Sequence, residues 1–211
     1  MKNLPEKTVE RLSEYRRTLY KCLDNGKNHI YSHELADMHN ITAVQVRRDI
    51  MFIGYTTSNR KGYDVQELIK VIGKIIDPQD ILNVAVIGLG NLGKAISTYF
   101  IGKRPQLNLV ATFDLDPKKI GNRIGDIECY SIDRLREIII NKNISIGILT
   151  VPTYSAQDMA KMLVQAGIKG ILNFTTVTLN VPETIYLEEY DMITSMEKVA
   201  YFVKNKKKKK N

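Results

Sequence analysis

Apolar residues in the first 80 positions recur at helical spacing. A first helix over about residues 4–23 carries one apolar face, made of Val9, Leu12, Tyr15, Leu19 and Leu23. Ser32 is placed to cap a short helix over residues 33–39, and Thr42 to cap another from Ala43 to about Ile53. A further helix begins after Asp64, and Pro78 ends it. This pattern predicts a small helical domain over residues 1–78.

The pattern changes at residue 79, where short apolar runs begin to alternate with helical stretches. Strands are predicted near 83–88, 108–114, 127–129, 145–150, 170–174 and 190–193, and helices near 91–102, 132–141 and 155–166. Alternating strands and helices are typical of a parallel sheet with crossover helices. The chain is therefore predicted to be an α/β protein with a doubly wound parallel sheet over residues 79–193.

The last 18 residues predict a separate helix over residues 194–205 and a lysine-rich tail over residues 206–211. Thr194 and Glu197 have the spacing of a capping box. An apolar stripe then follows, made of Met196, Val199, Ala200 and Val203. One helix at the chain end must bury that stripe, either on its own sheet or in a partner subunit. Composition leaves both arrangements open.

A glycine-rich turn follows the first strand of the sheet, in the order Gly88-x-Gly90-x-x-Gly93. In such a turn one glycine permits the bend, another lets the backbone approach a pyrophosphate, and the third lets the helix pack on the strand. The helix N-terminus offers free N–H groups to phosphate oxygens. The turn residues are therefore candidate cofactor ligands, namely Gly88, Leu89, Gly90, Asn91, Leu92 and Gly93.

Asp114 ends the second strand about 20 positions after Gly93, where a ribose-hydroxyl acceptor is expected. A carboxylate there favours NAD over NADP, because it would repel a 2′-phosphate. Thr150, Val151 and Pro152 end another strand at the same edge and are expected beside the cofactor. The alternative is a glycine turn without a ligand, with Asp114 an ordinary strand-end residue.

Residues 33–53 match a helix-turn-helix, whose second helix enters the major groove of DNA. Arginine can contact guanine and glutamine can contact adenine there. The polar turn cluster at 55–63 is placed as a wing. The candidate DNA-binding residues are Thr42, Gln45, Arg47, Arg48, Arg60 and Lys61. The alternative is a small helical domain whose charges are merely solvated.

Charge alone does not indicate a DNA-binding protein, although the formal net charge is +8. Six of the 31 basic residues are the tail lysines Lys204 and Lys206 to Lys210. No apolar run approaches the ~20 residues of a membrane span, and the N-terminus has no signal-peptide core. A cytoplasmic location is therefore expected. The cysteines, Cys22 and Cys129, and the three histidines have no metal-binding spacing, so no metal site is expected.

Distinctive motifs occur along nearly the whole chain. They are Arg16, Val-Arg-Arg-Asp (46–49), Lys-Gly-Tyr (61–63), Gly-x-Gly-Asn-Leu-Gly (88–93), Leu-Thr-Val-Pro (149–152), Ile-Leu-Asn-Phe (171–174), Leu-Asn-Val-Pro (179–182) and Tyr-Phe-Val-Lys (201–204). In this order they resemble the bacterial Rex family of redox-sensing transcriptional repressors. The resemblance runs from about residue 4 to 204 and combines a winged helix with a Rossmann domain.

This resemblance implies a homodimeric repressor that reads the NADH/NAD⁺ ratio. Such a protein binds a palindromic operator when it is empty or holds NAD⁺, and leaves the DNA when NADH binds. The C-terminal helix is then exchanged between subunits. The family's switch residues fall on Tyr99, which also lies near the cofactor, on Asp191, and on Arg16 as the open-state partner of Asp191.

Two other functions compete with this interpretation. A small NAD-dependent dehydrogenase would need an acid or base near its substrate. All three histidines precede residue 40, which leaves Tyr154 or Lys94 as possible bases, and no further domain remains to hold a substrate. The third possibility is a nucleotide-binding scaffold without DNA contact. The expectation is therefore a repressor that binds NAD⁺ or NADH without turning it over, and not an enzyme.

Overall fold

The computed structural model describes residues 4–56, 61–102 and 106–208, and for residues 205–208 it describes the backbone alone. The chain divides into two compact units, Met1–Pro78 and Gln79–Asn211. Each unit has its own apolar core.

The N-terminal unit is built from four helices and a short two-stranded ribbon. Its helices are α1 (Glu6–Asp24), α2 (Ser32–His39), α3 (Ala43–Phe52) and α4 (Val65–Ile76), and its antiparallel strands are β1 (His29–Ile30) and β2 (Tyr63–Asp64). The sequence predicted the four helices but not the ribbon, because two-residue strands are too short for any alternation to be visible.

The predicted apolar face of α1 is correct except at its start. Leu12, Tyr15 and Leu19 are fully buried, but Val9 is 40% exposed and Thr8 is buried instead. The helical face of Tyr15 continues back to Thr8 because the two residues are seven apart, two turns of helix.

The helix ends follow local hydrogen-bonding rules. The Thr42 hydroxyl accepts from the N–H of Gln45 at 3.1 Å, and Asp64 Oδ1 accepts from the N–H of Glu67 at 2.7 Å, so both predicted caps are confirmed. Ser32 is the first helical residue of α2 and not its cap. Asn40 adopts a left-handed conformation, with φ of 54°, and this reverses the chain between α2 and α3.

The C-terminal unit is an α/β sheet of seven strands. These are β3 (Leu82–Ile87), β4 (Leu107–Asp114), β5 (Arg123–Ile124), β6 (Ile127–Ser131), β7 (Ile144–Leu149), β8 (Gly170–Asn173) and β9 (Tyr186–Glu189). Their order is β5-β6-β4-β3-β7-β8-β9, and every neighbouring pair is parallel except β5 with β6. Without the edge hairpin strand β5, this is the doubly wound Rossmann order. Successive strands are added on one side of β3 up to β6 and on its other side from β7 onward.

Helices cover both faces of this sheet. They are α5 (Asn91–Phe100), α6 (Leu135–Asn141) and α7 (Ala156–Ala166), with short 3₁₀ turns at Ile132–Arg134 and Thr153–Ser155. Along β3, Val84 and Val86 pack with α5, whereas Ala85 and Ile87 belong to the core under α6 and α7. A strand buried on both faces explains the continuous apolar run that predicted it.

Two predictions for this unit are wrong. The last strand is β9 at Tyr186–Glu189, and not 190–193, where the chain is already turning into a helix. The helical spacing of Leu92, Ala95, Ile96 and Tyr99 predicts one buried stripe on α5; Ile96 is buried, but Ala95 and Tyr99 are exposed, and Ser97 is buried beside Ile96. Gly93 sets this orientation, because the helix packs on the sheet at its smallest residue.

The last helix, α8 (Met192–Lys208), begins two residues earlier than predicted. Its apolar side chains are all exposed, for example Met196 at 68% and Phe202 at 63%. No helix among the described residues is both long enough and apolar enough to cross a membrane.

Candidate functional site

The glycine turn lies at the carboxyl end of β3, the central strand. Gly88 has φ of +95°, and its N–H donates to the carbonyl oxygen of Phe113 at 2.8 Å. A Cβ at Gly88 would lie 2.9 Å from the carbonyl carbon and oxygen of Thr150. Glycine is therefore required at this position both by its backbone conformation and by the close approach of a neighbouring strand end.

The other two glycines have different surroundings. A Cβ at Gly93 would overlap the carbonyl oxygen of Gly88 and lie 2.8 Å from Thr150 Oγ1, so α5 can pack here only through a glycine. Gly90 caps α5, and a Cβ there would meet no described atom within 4 Å. Gly93 thus serves internal packing, whereas Gly90 borders open space in front of the helix N-terminus, where anions are favoured.

Asp114 is 9% exposed and its carboxylate accepts three hydrogen bonds. Oδ2 accepts from the N–H of Leu89 at 2.6 Å and from Lys119 Nζ at 2.9 Å, and Oδ1 accepts from the N–H of Asp116 at 2.9 Å. Burial raises the pKa of Asp114, but these three hydrogen bonds outweigh it and hold the pKa below its usual value. The carboxylate stays ionised and fixes the glycine turn to the end of β4.

A cavity of about 640 Å³ opens at this edge of the sheet, a size within the range of small-molecule sites. Six predicted cofactor residues line it, namely Gly88, Gly90, Asp114, Thr150, Val151 and Pro152. The cavity is also lined by residues that the sequence did not predict as cofactor ligands, namely Leu115, Asp116, Lys119, Ile132, Tyr154, Ser155 and Met159. Except for Met159, which is on α7, they lie just after the ends of β4, β6 and β7, and their position beyond a parallel strand was the signal that could have identified them.

The remaining predicted cofactor residues are not among the described residues that line this cavity. Leu89 and Gly93 are buried, Leu92 is half-buried, and Asn91 is exposed. Tyr99 is 68% exposed on α5, with its ring edge-on to Phe100 at 6.0 Å. The structure therefore brings the strand-end residues together and places Tyr99 two turns along α5 from the glycines.

Asp191 is at the start of α8. Its Oδ1 accepts from the N–H of Ile193 at 2.8 Å, and Oδ2 accepts from the Thr194 hydroxyl. These bonds, led by the one from Thr194, lower the pKa of Asp191. The predicted cap at Thr194 is wrong, because Asp191 supplies the acceptor. A second cavity of about 380 Å³ adjoins Asp191 and the loop Thr175–Thr178.

Arg16 is 7% exposed and is therefore buried inside the N-terminal unit. Its Nη1 donates to both carboxylate oxygens of Asp77, at 2.6 and 2.7 Å. Its buried Nε has no hydrogen-bond partner among the described residues. Asp77 is the C-cap of α4, directly before the boundary between the two units. The pairing of Arg16 with Asp191 stays a prediction.

The predicted DNA-binding residues differ from one another in exposure and in hydrogen bonding. Arg48 is exposed; Arg47 is exposed too, and its Nη1 donates to Ser32 Oγ at 3.1 Å. Gln45 is half-buried, and its side-chain amide donates to Asp49 Oδ1 at 2.9 Å. Lys61 is exposed beside the ribbon, and Arg60 lies outside the described residues.

Asp49 joins α3 to α1 through a buried network that the sequence did not predict. Its fully buried carboxylate accepts from Arg11 Nε and Nη2 at 2.6 and 2.7 Å, and from the Tyr15 hydroxyl at 2.9 Å. Burial raises the pKa of Asp49, but the hydrogen bonds from Arg11, Tyr15 and Gln45 lower it below its usual value. The network fixes the orientation of α3 relative to α1.

Both cysteines are free and buried. Within residues 4–56, 61–102 and 106–208, no three His, Cys, Asp or Glu side chains form a group that could hold a metal ion.

Two family models match the chain, one for each unit. The model of a putative DNA-binding protein N-terminus matches residues 3–50, and the model of a CoA binding domain matches residues 79–177.

Curated relatives match almost the whole chain. The redox-sensing transcriptional repressor Rex of Bacillus licheniformis is 36% identical over 202 residues, which cover 96% of this chain and 94% of the relative. The protein of the same name from Shouchella clausii is 37% identical, with coverage of 96% and 95%.

Solved structures of RSP, a Rex-family repressor, are similar over the full length. The complex of RSP with β-NADH has a TM-score of 0.88 at 33% identity and covers 100% of this chain and 99% of RSP. The complex of RSP with β-NAD⁺ and operator DNA has a TM-score of 0.90 at 34% identity, with coverage of 100% and 97%.

Proposed function

This chain belongs to the Rex family of redox-sensing transcriptional repressors, and from that membership we propose that it binds operator DNA and leaves it when NADH binds. NAD⁺ and NADH are ligands of the protein and are not turned over, in keeping with relatives that are named as repressors. Its DNA partner and its cofactor pool are both in the cytoplasm.

One observation carries this proposal: a helix-turn-helix and a dinucleotide-sized cavity occur in one chain. The cavity lies where the order of the parallel strands reverses, between β3 and β7, and this is where doubly wound sheets bind ligands. Neither unit alone would support a redox-sensing repressor, whereas the two units together supply a cofactor-binding site and a DNA-binding helix.

We assign the pyrophosphate to the N-terminus of α5 at Gly90, and a ribose hydroxyl to Asp114. The ionised carboxylate still has lone pairs for a hydroxyl donor, since each oxygen can accept more than one bond. Lys119 lines the same cavity and would lie beside that hydroxyl. The negative charge at Asp114 favours NAD(H) over its 2′-phosphorylated form.

The switch must turn one hydride and one positive charge on the nicotinamide into different affinities for two conformations. We propose that the neutral ring of NADH tolerates a closed, apolar pocket and that Tyr99 and Asp191 then pair near it. Arg16 would be the open-state partner of Asp191. For that role it would have to exchange its present partner, Asp77.

We propose a homodimer in which α8 packs on the partner subunit. A helix whose apolar side chains are all exposed needs such a surface. Two α3 helices would then read successive major grooves, about 34–36 Å apart. A change in that spacing would release a palindromic operator.

The test is binding of the full chain to a fluorescent palindromic duplex, measured by anisotropy with NAD⁺ or NADH. NADH should weaken binding at least ~tenfold, which corresponds to about 1.4 kcal/mol of coupling. Asp191→Ala should retain NAD⁺ binding and lose most of the NADH response. Asp158→Ala, an exposed aspartate of α7, is the matched control and should respond like the wild type. Equal DNA binding with both cofactors would refute the sensor, and a normal response of Asp191→Ala would refute the switch.

A further inference from the structure

The exposed face of α3 is largely apolar. Val44, Met51 and Phe52 are 57%, 69% and 51% exposed, although α3 belongs to a well-packed unit. Together with Arg47 and Arg48 they line a groove of about 500 Å³. Their spacing of four and seven residues places Val44, Arg48 and Met51 on one side of the helix.

The polar side chains at the start of α3 are engaged within the protein. The Gln45 amide donates to Asp49, and the Thr42 hydroxyl accepts from the helix backbone. Val44 is the second residue of α3, and its exposed side chain is free to contact a ligand in front of the first turn of the helix. In a helix-turn-helix, side chains near the N-terminus of the second helix are the ones that meet base edges.

We propose that Val44 contacts the C5 methyl group of a thymine in the operator, and that this contact replaces the hydrogen bond expected from Gln45. The inference rests on the proposed binding of operator DNA. The thymine methyl is the apolar group that bases present in the major groove, and apolar side chains recognise it by contact. Arg47 and Arg48 beside Val44 supply the charge that suits a phosphate-lined groove and that an apolar protein partner would not match.

The test replaces thymine by deoxyuridine, which differs only in lacking that methyl group. The probe is a palindromic duplex selected from a random-sequence library with the NAD⁺-bound full chain, and binding is measured by fluorescence anisotropy. Each thymine of the half-site is replaced in turn. At one position the wild type should bind about fourfold more weakly per half-site, as expected for a buried methyl-sized group.

Val44→Ala should lose most of this discrimination, because its side chain lacks two methyl groups and ends farther from the base. Val9→Ala makes the same change at another exposed valine, on α1, and should keep the wild-type ratio.

A selected half-site without thymine, or wild-type binding that ignores every uracil, would overturn the proposal. A Val44→Ala variant that keeps the full ratio would also overturn it, because another side chain would then contact the methyl group. In all three cases operator binding itself would stand. Failure of the wild type to select any duplex would overturn operator binding and, with it, the role of Val44.

Discussion

Removal of the Asp49 carboxylate is expected to loosen α3 without changing any exposed side chain of that helix. Asp49 is fully buried in α3, and its partners on α1 are Arg11 and Tyr15. In Asp49→Ala these donors lose their acceptor, and so does the amide of Gln45.

The cost can be built up from the individual partners. The fully buried Tyr15 hydroxyl would be left unsatisfied, at about 1–3 kcal/mol. The Arg11 side chain is 21% exposed and can regain some hydration, so its contribution is discounted to about 1 kcal/mol. The total is about 3 kcal/mol, at the lower end of the ~3–5 kcal/mol for breaking a buried ion pair.

Hydrogen exchange of the full chain, followed by mass spectrometry, measures this locally. Peptides from Glu6–Asp24 and Ala43–Phe52 should lose about a hundredfold of protection, since 1.4 kcal/mol is a factor of ten. Peptides from Leu82–Ile87 should not change, because they belong to the other unit. Asp37→Ala, an exposed aspartate of α2, is the control and should leave both regions unchanged.

The reasoning is refuted if Asp49→Ala protects α3 as well as the wild type does. It is also refuted if Asp37→Ala loses as much protection, since the effect would then come from charge and not from the network.

Four further results are expected. The pKa of Asp49 is lowered in the folded protein, so the carboxylate stabilises the fold fully above its unfolded pKa of about 3.9, and this stability is lost as the pH falls through the folded pKa. Hydrogen exchange measured from pH 6 to pH 2 should reveal this loss in the wild type and not in Asp49→Ala. Gly90→Ala should leave the melting temperature of the unliganded protein nearly unchanged, since its Cβ enters open space, but should weaken NADH binding at least ~tenfold in a fluorescence titration. Asp77→Ala leaves the buried Arg16 charge unpaired and should cost about 2–4 kcal/mol in the protection of α4. Light scattering should give twice the chain mass of 24.1 kDa, and a chain without Met192–Lys208 should give the mass of one subunit.

The fold was predictable where periodicity is long. β3 has four consecutive buried apolar residues, Val84 to Ile87, and α4 buries Val65, Leu68, Ile69 and Ile72 at helical spacing; both elements lie where the sequence placed them. Short or edge elements were not predictable. The ribbon strand Tyr63–Asp64 has two residues, and three of the four residues of β9 at Tyr186–Glu189 are exposed, so neither strand has the apolar content that identifies a buried strand.

The candidate sites were predictable where the chemistry lies in a local motif. The glycine spacing and the strand end at Thr150 identified the cavity edge, because both belong to single strand-to-turn segments. Partners distant in sequence were not predictable. Arg11 and Asp49 are 38 positions apart, and Arg16 and Asp77 are 61 apart, and no local pattern relates either pair.

The conformations of α3 and of the glycine turn thus each depend on a carboxylate that makes hydrogen bonds within the protein. Asp49 fixes α3, and Asp114 fixes the glycine turn through the N–H of Leu89 at 2.6 Å. Loss of cofactor binding in Asp114→Ala would therefore not prove a ribose contact, since the turn would be released as well. Asp114→Asn is a better probe: its amide keeps one acceptor oxygen for Leu89 but removes the charge that repels a 2′-phosphate. If Asp114 also selects the cofactor, Asp114→Asn should narrow the preference for NADH over NADPH while the turn stays protected from hydrogen exchange.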